Sequence, residues 1–356
     1  MMSCFIIPPY LLERLANLDD PRFEQVAVAA RASRKLDDQH RGTRTAAGPS
    51  AATATESRRE RSAAAPPPEG PHRTIFDAGN TEQLPGKRVR GEGEPAGSDR
   101  SVTEAYNGLG STHQLYREAY GRASVDDRNL PLLATVHYGK DYDNAFWNGD
   151  RMVFGDGDGT VFQGFTSSLS VIGHELTHGV TQYSAGLDYQ GQSGALNESV
   201  SDVFGALVEQ FVRQQDAAGA SWLIGAGLFT NRVQGVALRS MKAPGTAYDD
   251  DVLGTDPQPA DMGGYAKTED DNGGVHLNSG IPNHAFYLAA AALGGKAWER
   301  AGQVWYDTLV GGTLPTNCGF ARFATETTAA AASRYGRDSV ERRAIAAAWR
   351  AVGVTS

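Results

Sequence analysis

Two histidines and a glutamate stand together in the run Val171-Ile-Gly-His174-Glu175-Leu-Thr-His178. If that run is helical, the two imidazoles lie about 40° apart around the axis and one turn apart along it. Both can then reach one metal ion, and zinc is the ion this pattern suits. Glu175 falls on the flank of the pair, close enough to hold a metal-bound water without being a ligand. A catalytic zinc takes three protein ligands and keeps one position open. A third candidate follows in Gly194-Ala-Leu-Asn197-Glu198-Ser-Val-Ser-Asp202. There Leu196, Val200, Val203, Phe204, Leu207, Val208 and Phe211 recur at helical spacing. Glu198 and Asp202 share another face of that helix. Glu198 can complete the ligand set, and Asp202 can accept a hydrogen bond from a ligating histidine and fix its tautomer. Two carboxylates so spaced otherwise make a solvated acidic face; the histidine pair upstream favours the metal.

Other zinc architectures fit less well. A metzincin needs glycine and histidine where this chain has Thr181 and Ser184. A structural zinc usually takes four side chains including cysteine, and the only cysteines, Cys4 and Cys318, are isolated.

Further motifs widen the pattern: Asp143-Asn144-Ala145-Phe146-Trp147, Met152-Val-Phe-Gly-Asp-Gly-Asp-Gly159, Tyr183-Ser-Ala-Gly-Leu-Asp-Tyr189, Leu238-Arg239-Ser-Met241 and Asp271-Asn-Gly-Gly-Val-His276-Leu-Asn-Ser-Gly280. With the zinc run between them, the chain from about Ser101 to its C-terminus resembles the thermolysin family of neutral metalloendopeptidases. The resemblance implies zinc held by His174, His178 and Glu198, with Glu175 as general base. It implies that His276, oriented by Asp271, stabilises the oxyanion and that Tyr189 assists there. Asn144 and Ala145 would bind substrate backbone, and Arg239 a carbonyl on the primed side. Asn197 and Asp202 would support the zinc histidines.

That set suits amide hydrolysis. Zinc lowers the pKa of a bound water from about 15.7 to about 7, a carboxylate can carry its proton to the departing amine, and one oxyanion donor is worth roughly 10²–10³ in rate. Phe162, Phe165, Val171, Ile224 and Leu238 match positions lining the family's primed-side pocket, which implies a bulky hydrophobic residue after the scissile bond. The family's double calcium site falls here on Ser170, Glu209, Ser221, Leu223 and Ala226. Calcium needs several hard oxygen ligands, so that site is expected to be absent. Asp156-Gly-Asp158-Gly reads as a tight turn, and Asp249–Asp251 as a solvated loop.

The fold expected is α+β with two lobes: a mixed α/β N-terminal lobe over 72–187 that includes the zinc helix, and a mainly helical C-terminal lobe over 188–356. Strands are expected near Leu132–Tyr138 and Arg151–Phe154. Helices are expected over Pro282–Leu293, Ala297–Leu309, Phe320–Tyr335 and Ser339–Val352. The first 71 residues differ in composition. Ile6-Ile-Pro-Pro-Tyr-Leu-Leu12 resembles the short propeptide of the protealysin branch of the family, which implies a leader over 1–40 that covers the active site until it is cut. Residues 41–71, rich in Ala, Ser, Thr, Pro and Arg, read as a flexible linker open to nicking. Cys4 reads as a small buried apolar residue rather than a zinc-blocking thiolate.

A net charge of −9 and a pI near 5.4 argue against nucleic acid as a partner. No apolar run reaches the ~18–20 residues that span a bilayer, and two distant cysteines exclude a disulfide framework. Protein or peptide substrates and the chain's own leader are the expected partners, and a monomer the expected state. The N-terminus lacks the basic start and long apolar stretch of a secretory signal. The resemblance implies secretion; the missing signal leaves a cytoplasmic enzyme as the alternative.

Overall fold

The computed structural model describes residues 4–46 and 70–354, and side chains outside 41–46 within them. Its first lobe is built on a mixed sheet of six strands: β1 (Cys4–Phe5), β2 (Arg73–Thr81), β3 (Lys87–Gly91), β4 (Leu132–Tyr138), β5 (Ala145–Trp147) and β6 (Met152–Phe154). Their spatial order is β1-β5-β6-β4-β2-β3. Strand β4 pairs in parallel with both β2 and β6. Its buried centre, Ala134-Thr-Val136, fits a parallel strand covered on both faces. Strand β5 runs antiparallel to β6, and β1 runs antiparallel to β5 with Cys4 opposite Trp147 and Phe5 opposite Phe146. Strand β5, whose Ala145 was expected to bind substrate backbone, therefore pairs with the chain's own first strand.

Two helices follow β1. In α1 (Pro9–Ala16) the proline at the first position has no N–H to leave unpaired, and Leu11, Leu12 and Leu15 turn into the common core. Helix α2 (Glu24–Ala46) packs on α1 and buries Val26, Ala27 and Ala30. Helix α2 continues past residue 40, and its described part reaches Ala46; Lys35, Leu36 and Gln39 are good helix formers that sustain it. Most of the expected linker, 47–69, lies outside the described residues.

Helix α3 (Arg100–Tyr120) packs against β2 and β4. Asp99 caps its start by accepting from Val102 N at 3.1 Å, and Gly121 at φ 69° ends it in the left-handed conformation. The zinc run lies on α4 (Leu169–Gln182), whose residues from Ser170 to Thr181 are all buried. The Glu198 run lies on α5 (Gly191–Val212). The two helices cross at Gly173 and Gly205. A Cβ on Gly205 would stand 2.4 Å from Ser170 O, and one on Gly173 would stand 3.0 Å from the Gly205 Cα. Glycine is required at the crossing because backbone meets backbone there.

The second lobe continues through short strand pairs, β7 (Leu223–Ile224) with β8 (Arg239–Ser240) and β9 (Asp249–Asp250) with β10 (Gly254–Thr255). Five helices follow: α6 (Asp270–Asn278), α7 (Gly280–Leu293), α8 (Ala301–Val310), α9 (Phe320–Tyr335) and α10 (Val340–Ala351). Trp305 stacks on Trp349 at 6.0 Å within their core. The Asp249–Asp251 run is a tight hairpin rather than a plain solvated loop. Asp250 Oδ1 accepts from Val252 N and Leu253 N, while the leader's Arg14 donates to the Asp251 and Val252 carbonyls. The expected turn at Asp158 is present, its Oδ1 accepting from the N–H groups of Thr160, Val161 and Phe162. Cys318 is buried, and burial pushes its thiol up to about 11, which leaves it unreactive.

Candidate metal centre and active site

The i,i+4 spacing on α4 brings His174 Nε2 and His178 Nε2 to 3.0 Å, and the crossing with α5 sets Glu198 against both. Glu198 Oε2 is 3.5 Å from His174 Nε2, and Glu198 Oε1 is 3.5 Å from His178 Nε2. Two ligands at about 2.0–2.1 Å from a tetrahedral zinc stand about 3.4 Å apart, so the two Nε2 atoms and the two oxygens of the Glu198 carboxylate lie at spacings that suit one zinc ion. The outer ring nitrogens sharpen the fit. His174 Nδ1 lies 2.7 Å from Asp202 Oδ1, and His178 Nδ1 lies 2.9 Å from Asn197 Oδ1. If both Nδ1 atoms donate, the facing Nε2 atoms present lone pairs to each other, an arrangement that a cation stabilises. Burial pulls His178 down to about 3, which keeps it neutral and able to ligate.

Asp202 is the hub beneath the ligands. Its Oδ1 also accepts from Arg239 Nη2 at 2.8 Å, and its Oδ2 from Arg239 Nε at 2.9 Å and Asn283 Nδ2 at 2.8 Å. Burial alone would raise its pKa, but Arg239 and His174 overcome that and hold the carboxyl below the ordinary range. Glu175 is buried beside the triad, with Oε2 accepting from Trp147 N at 2.9 Å and Oε1 without a hydrogen-bond partner. Burial, then the Glu198 charge, raises its carboxyl well above the ordinary value.

His276 approaches from α6, whose first half is not α-helical. Asp271, Asn272, Gly273 and Gly274 all take positive φ, 52° to 83°, making a left-handed turn that the Asp-Asn-Gly-Gly run tolerates. The turn folds Asp271 back so that its Oδ1 meets His276 Nδ1 at 2.7 Å and its Oδ2 accepts from His276 N at 2.9 Å. Burial opposes the imidazolium, yet the Asp271 and Glu198 charges raise His276 to about 9. Tyr189 donates to Glu198 Oε1 and lies 3.4 Å from His276 Nε2.

The leader strand threads this cluster. His276 Nε2 is 2.8 Å from Phe5 O, Ile6 N donates to Ala145 O at 3.1 Å, Arg239 Nη1 donates to Ile6 O at 3.0 Å, and Ile7 N donates to Asn144 Oδ1 at 3.0 Å. Ile6 and Ile7 are fully buried in one cluster with Phe162, Phe165, Val171, Ile224 and Leu238. Cys4 packs against Tyr189 and Val275. The three candidate ligands and Glu175, Tyr189, Asn197, Asp202, Arg239, Asp271 and His276, with Asn144 and Ala145, are thus brought together around the leader strand.

Sequence reasoning missed the leader's polar grip on the far side of Asn144. Asp37 Oδ2 accepts from Asn144 Nδ2 at 2.8 Å and Asp37 Oδ1 from Tyr142 OH at 2.6 Å, while Ser33 Oγ accepts from Asp143 N at 2.9 Å. It also missed Asn283 on Asp202. No local spacing announces either, since the partners lie far apart in the chain.

Known proteins decide the family. Residues 44–182 match the thermolysin metallopeptidase catalytic domain, and residues 185–354 match the thermolysin metallopeptidase alpha-helical domain. The chain belongs to the thermolysin family. An extracellular metalloprotease of Pectobacterium carotovorum subsp. carotovorum is 55% identical over 283 residues, covering 80% of this chain and 81% of that one. A thermolysin of Alicyclobacillus acidocaldarius subsp. acidocaldarius is 39% identical over 289 residues, 78% of this chain and 50% of the other. The solved precursor of protealysin, a metalloproteinase from Serratia proteamaculans, superposes with a TM-score of 0.86 at 48% identity, covering 99% of this chain and 100% of that one. This thermolysin-family chain is a zinc metallopeptidase with the family's two domains, and its His174–His178–Glu198 cluster is a metal-binding triad.

Just before β5, Asp143 is buried and accepts from Asp158 N at 2.7 Å, Asp158 is half-buried, and Oδ2 of each carboxyl lacks a hydrogen-bond partner. Burial, then the neighbouring Asp158 charge, raises Asp143 well above the usual range. The folded chain thus keeps a proton that the unfolded chain has released, so this pair's stability is present in acid and lost as pH rises above the ordinary aspartate value. Asn in place of Asp143 keeps the acceptor for Asp158 N and adds a donor toward Asp158. Relative to the unaltered chain, the melting temperature of Asp143→Asn rises by roughly 2–4 °C between pH 5 and pH 8 in calorimetry; a constant difference would contradict a shared proton.

Proposed function

We propose that the chain is made as a self-inhibited endopeptidase precursor in which residues 1–40, extended by the rest of α2, act as the inhibitor. One observation carries this reading: the leader's main chain uses the same atoms that would hold a substrate. Zinc, when bound to the triad, supplies Lewis-acid polarisation of water and carbonyl. Glu175 Oε1 accepts the water proton and returns it to the departing nitrogen, a role its raised affinity for protons suits. His276, protonated against Asp271, donates from Nε2 to the carbonyl oxygen as charge gathers there, and Tyr189 is the second donor. Ala145 O and Asn144 Oδ1 receive substrate N–H groups, and Arg239 holds the next carbonyl.

The burial of Ile6 in the same apolar core as Phe162, Phe165, Val171, Ile224 and Leu238 supports a preference for a bulky hydrophobic residue after the scissile bond. The extracellular name of the Pectobacterium relative supports export of this chain. A monomer is favoured because one chain supplies every group named above.

The double calcium site is read as absent. Of its positions only Glu209 is a carboxylate, and it lies 2.8 Å from Arg213. Ser170 is already spent as acceptor for Gly225 N at 3.0 Å. Phenanthroline should abolish cleavage of a quenched peptide by the leader-free chain, and zinc should restore it. A calcium-selective chelator should leave activity unchanged and the melting temperature within about 2 °C. Activity that survives phenanthroline would reject the zinc reading, and a large fall with the calcium chelator would reject the calcium reading.

A further inference from the structure

The leader lies across the cleft in the direction of a substrate, with an ordinary peptide bond at the reacting position. The carbonyl on His276 is that of Phe5, the N–H on Ala145 O is that of Ile6, and the carbonyl on Arg239 is again that of Ile6. Those contacts bracket one bond, Phe5–Ile6, with the fully buried Ile6 side chain after it. Glu175 Oε1 is buried and without a hydrogen-bond partner, and the same carboxylate accepts through Oε2 from the N–H of Trp147, the residue opposite Cys4 on β1.

We infer that the Phe5–Ile6 bond of the leader is itself a cleavage site, cut by the chain's own active site while the leader is in place. The inference rests on the peptidase reading above and adds a covalent event to it. Water's oxygen bonds to the Phe5 carbonyl carbon and the bond to the Ile6 nitrogen breaks. Both water protons end on that nitrogen, one of them carried by Glu175, leaving a Phe5 carboxylate and an Ile6 ammonium. Nothing is oxidised or reduced.

The cut does not free the cleft, because the leader's anchors lie on the Ile6 side of the bond. Arg239 on Ile6 O, Asn144 on Ile7 N, Arg14 on the Asp251 and Val252 carbonyls, and Asp37 on Asn144 and Tyr142 all remain. Only the segment ending at Phe5, held by β1 pairing and by the packing of Cys4 and Phe5, is released. The leader is then a substrate that is cut early and let go late, the logic of an inhibitor that binds as substrates do.

Mass spectrometry of the zinc-loaded full chain tests this, with Glu175→Gln prepared in parallel. The expected result is leader beginning at Ile6 in the unaltered chain, at least tenfold more abundant than in Glu175→Gln, together with the released segment ending at Phe5. Equal melting temperatures of the two precursors would show that the variant is folded. A second assay measures turnover of a quenched peptide by the unaltered chain after its leader is removed. An intact Phe5–Ile6 bond in a preparation that turns over the peptide overturns this inference alone. An intact bond with no turnover overturns it together with the peptidase reading. Equal cutting in Glu175→Gln assigns the event to another protease and overturns it as well.

Discussion

Glu175→Gln in the leader-free chain lowers kcat/KM on a quenched peptide by about 10²–10⁴-fold while zinc content stays at one ion per chain. The size follows from the geometry. Glutamine keeps an oxygen that can accept the Trp147 N–H, so β5 and the zinc helix stay in register. It removes the buried carboxylate proposed to take a proton from water and return it. Because Glu175 is not one of the three ligand residues, metal affinity should not follow activity down. Metal analysis and kinetics on the same preparation separate the two. Loss of zinc in step with activity would make Glu175 a ligand, and unchanged kinetics would remove it from the reaction.

Asp202→Ala should show the second large effect, in stability and metal affinity together. Asp202 pairs with Arg239 through two hydrogen bonds, and both residues are fully buried. Removing one member of a buried ion pair leaves the other uncompensated, which costs about 3–5 kcal/mol. In a chain of this size that lowers the melting temperature by roughly 6–15 °C. The same change frees His174 Nδ1, and losing such an outer contact typically weakens metal binding by about 10–100-fold. Calorimetry gives the first number and competition with a zinc indicator the second. Asn283→Ala is the control: it removes a neutral donor from the same carboxylate and should cost about 0.5–1.5 kcal/mol. If both variants melt alike, the ion pair is not what holds this region.

How much of this was legible in the sequence depends on distance along the chain. His174, Glu175 and His178 are one helical turn apart, so spacing alone sets their geometry. Glu198, Asn197 and Asp202 needed only the next helix. The left-handed turn over residues 271–274 was not expected from the sequence, although Asp, Asn and Gly are the residues that accept positive φ. Helix α9 falls on the expected Phe320–Tyr335, while α8 begins at Ala301 rather than Ala297. Ala297 and Trp298 are buried in the preceding turn, so apolar spacing reads straight through it. The pairing of β1 with β5, the grip of Asp37 on Asn144 and the support of Asn283 were not legible. Each joins residues that share no local pattern, and an aspartate in the middle of a polar helix looks like solvated surface until the partner is in view.

The glycine-to-glycine crossing of α4 and α5 has a wider consequence. Side chains in a core can yield by small rotations, but two main chains in contact have nothing left to compress. The reach from the imidazole pair to the carboxylate is therefore gauged by peptide backbone alone. Drift in the apolar residues of either lobe can proceed without being transmitted to that gauge, so the coordination geometry is insulated from the evolution of the packing around it.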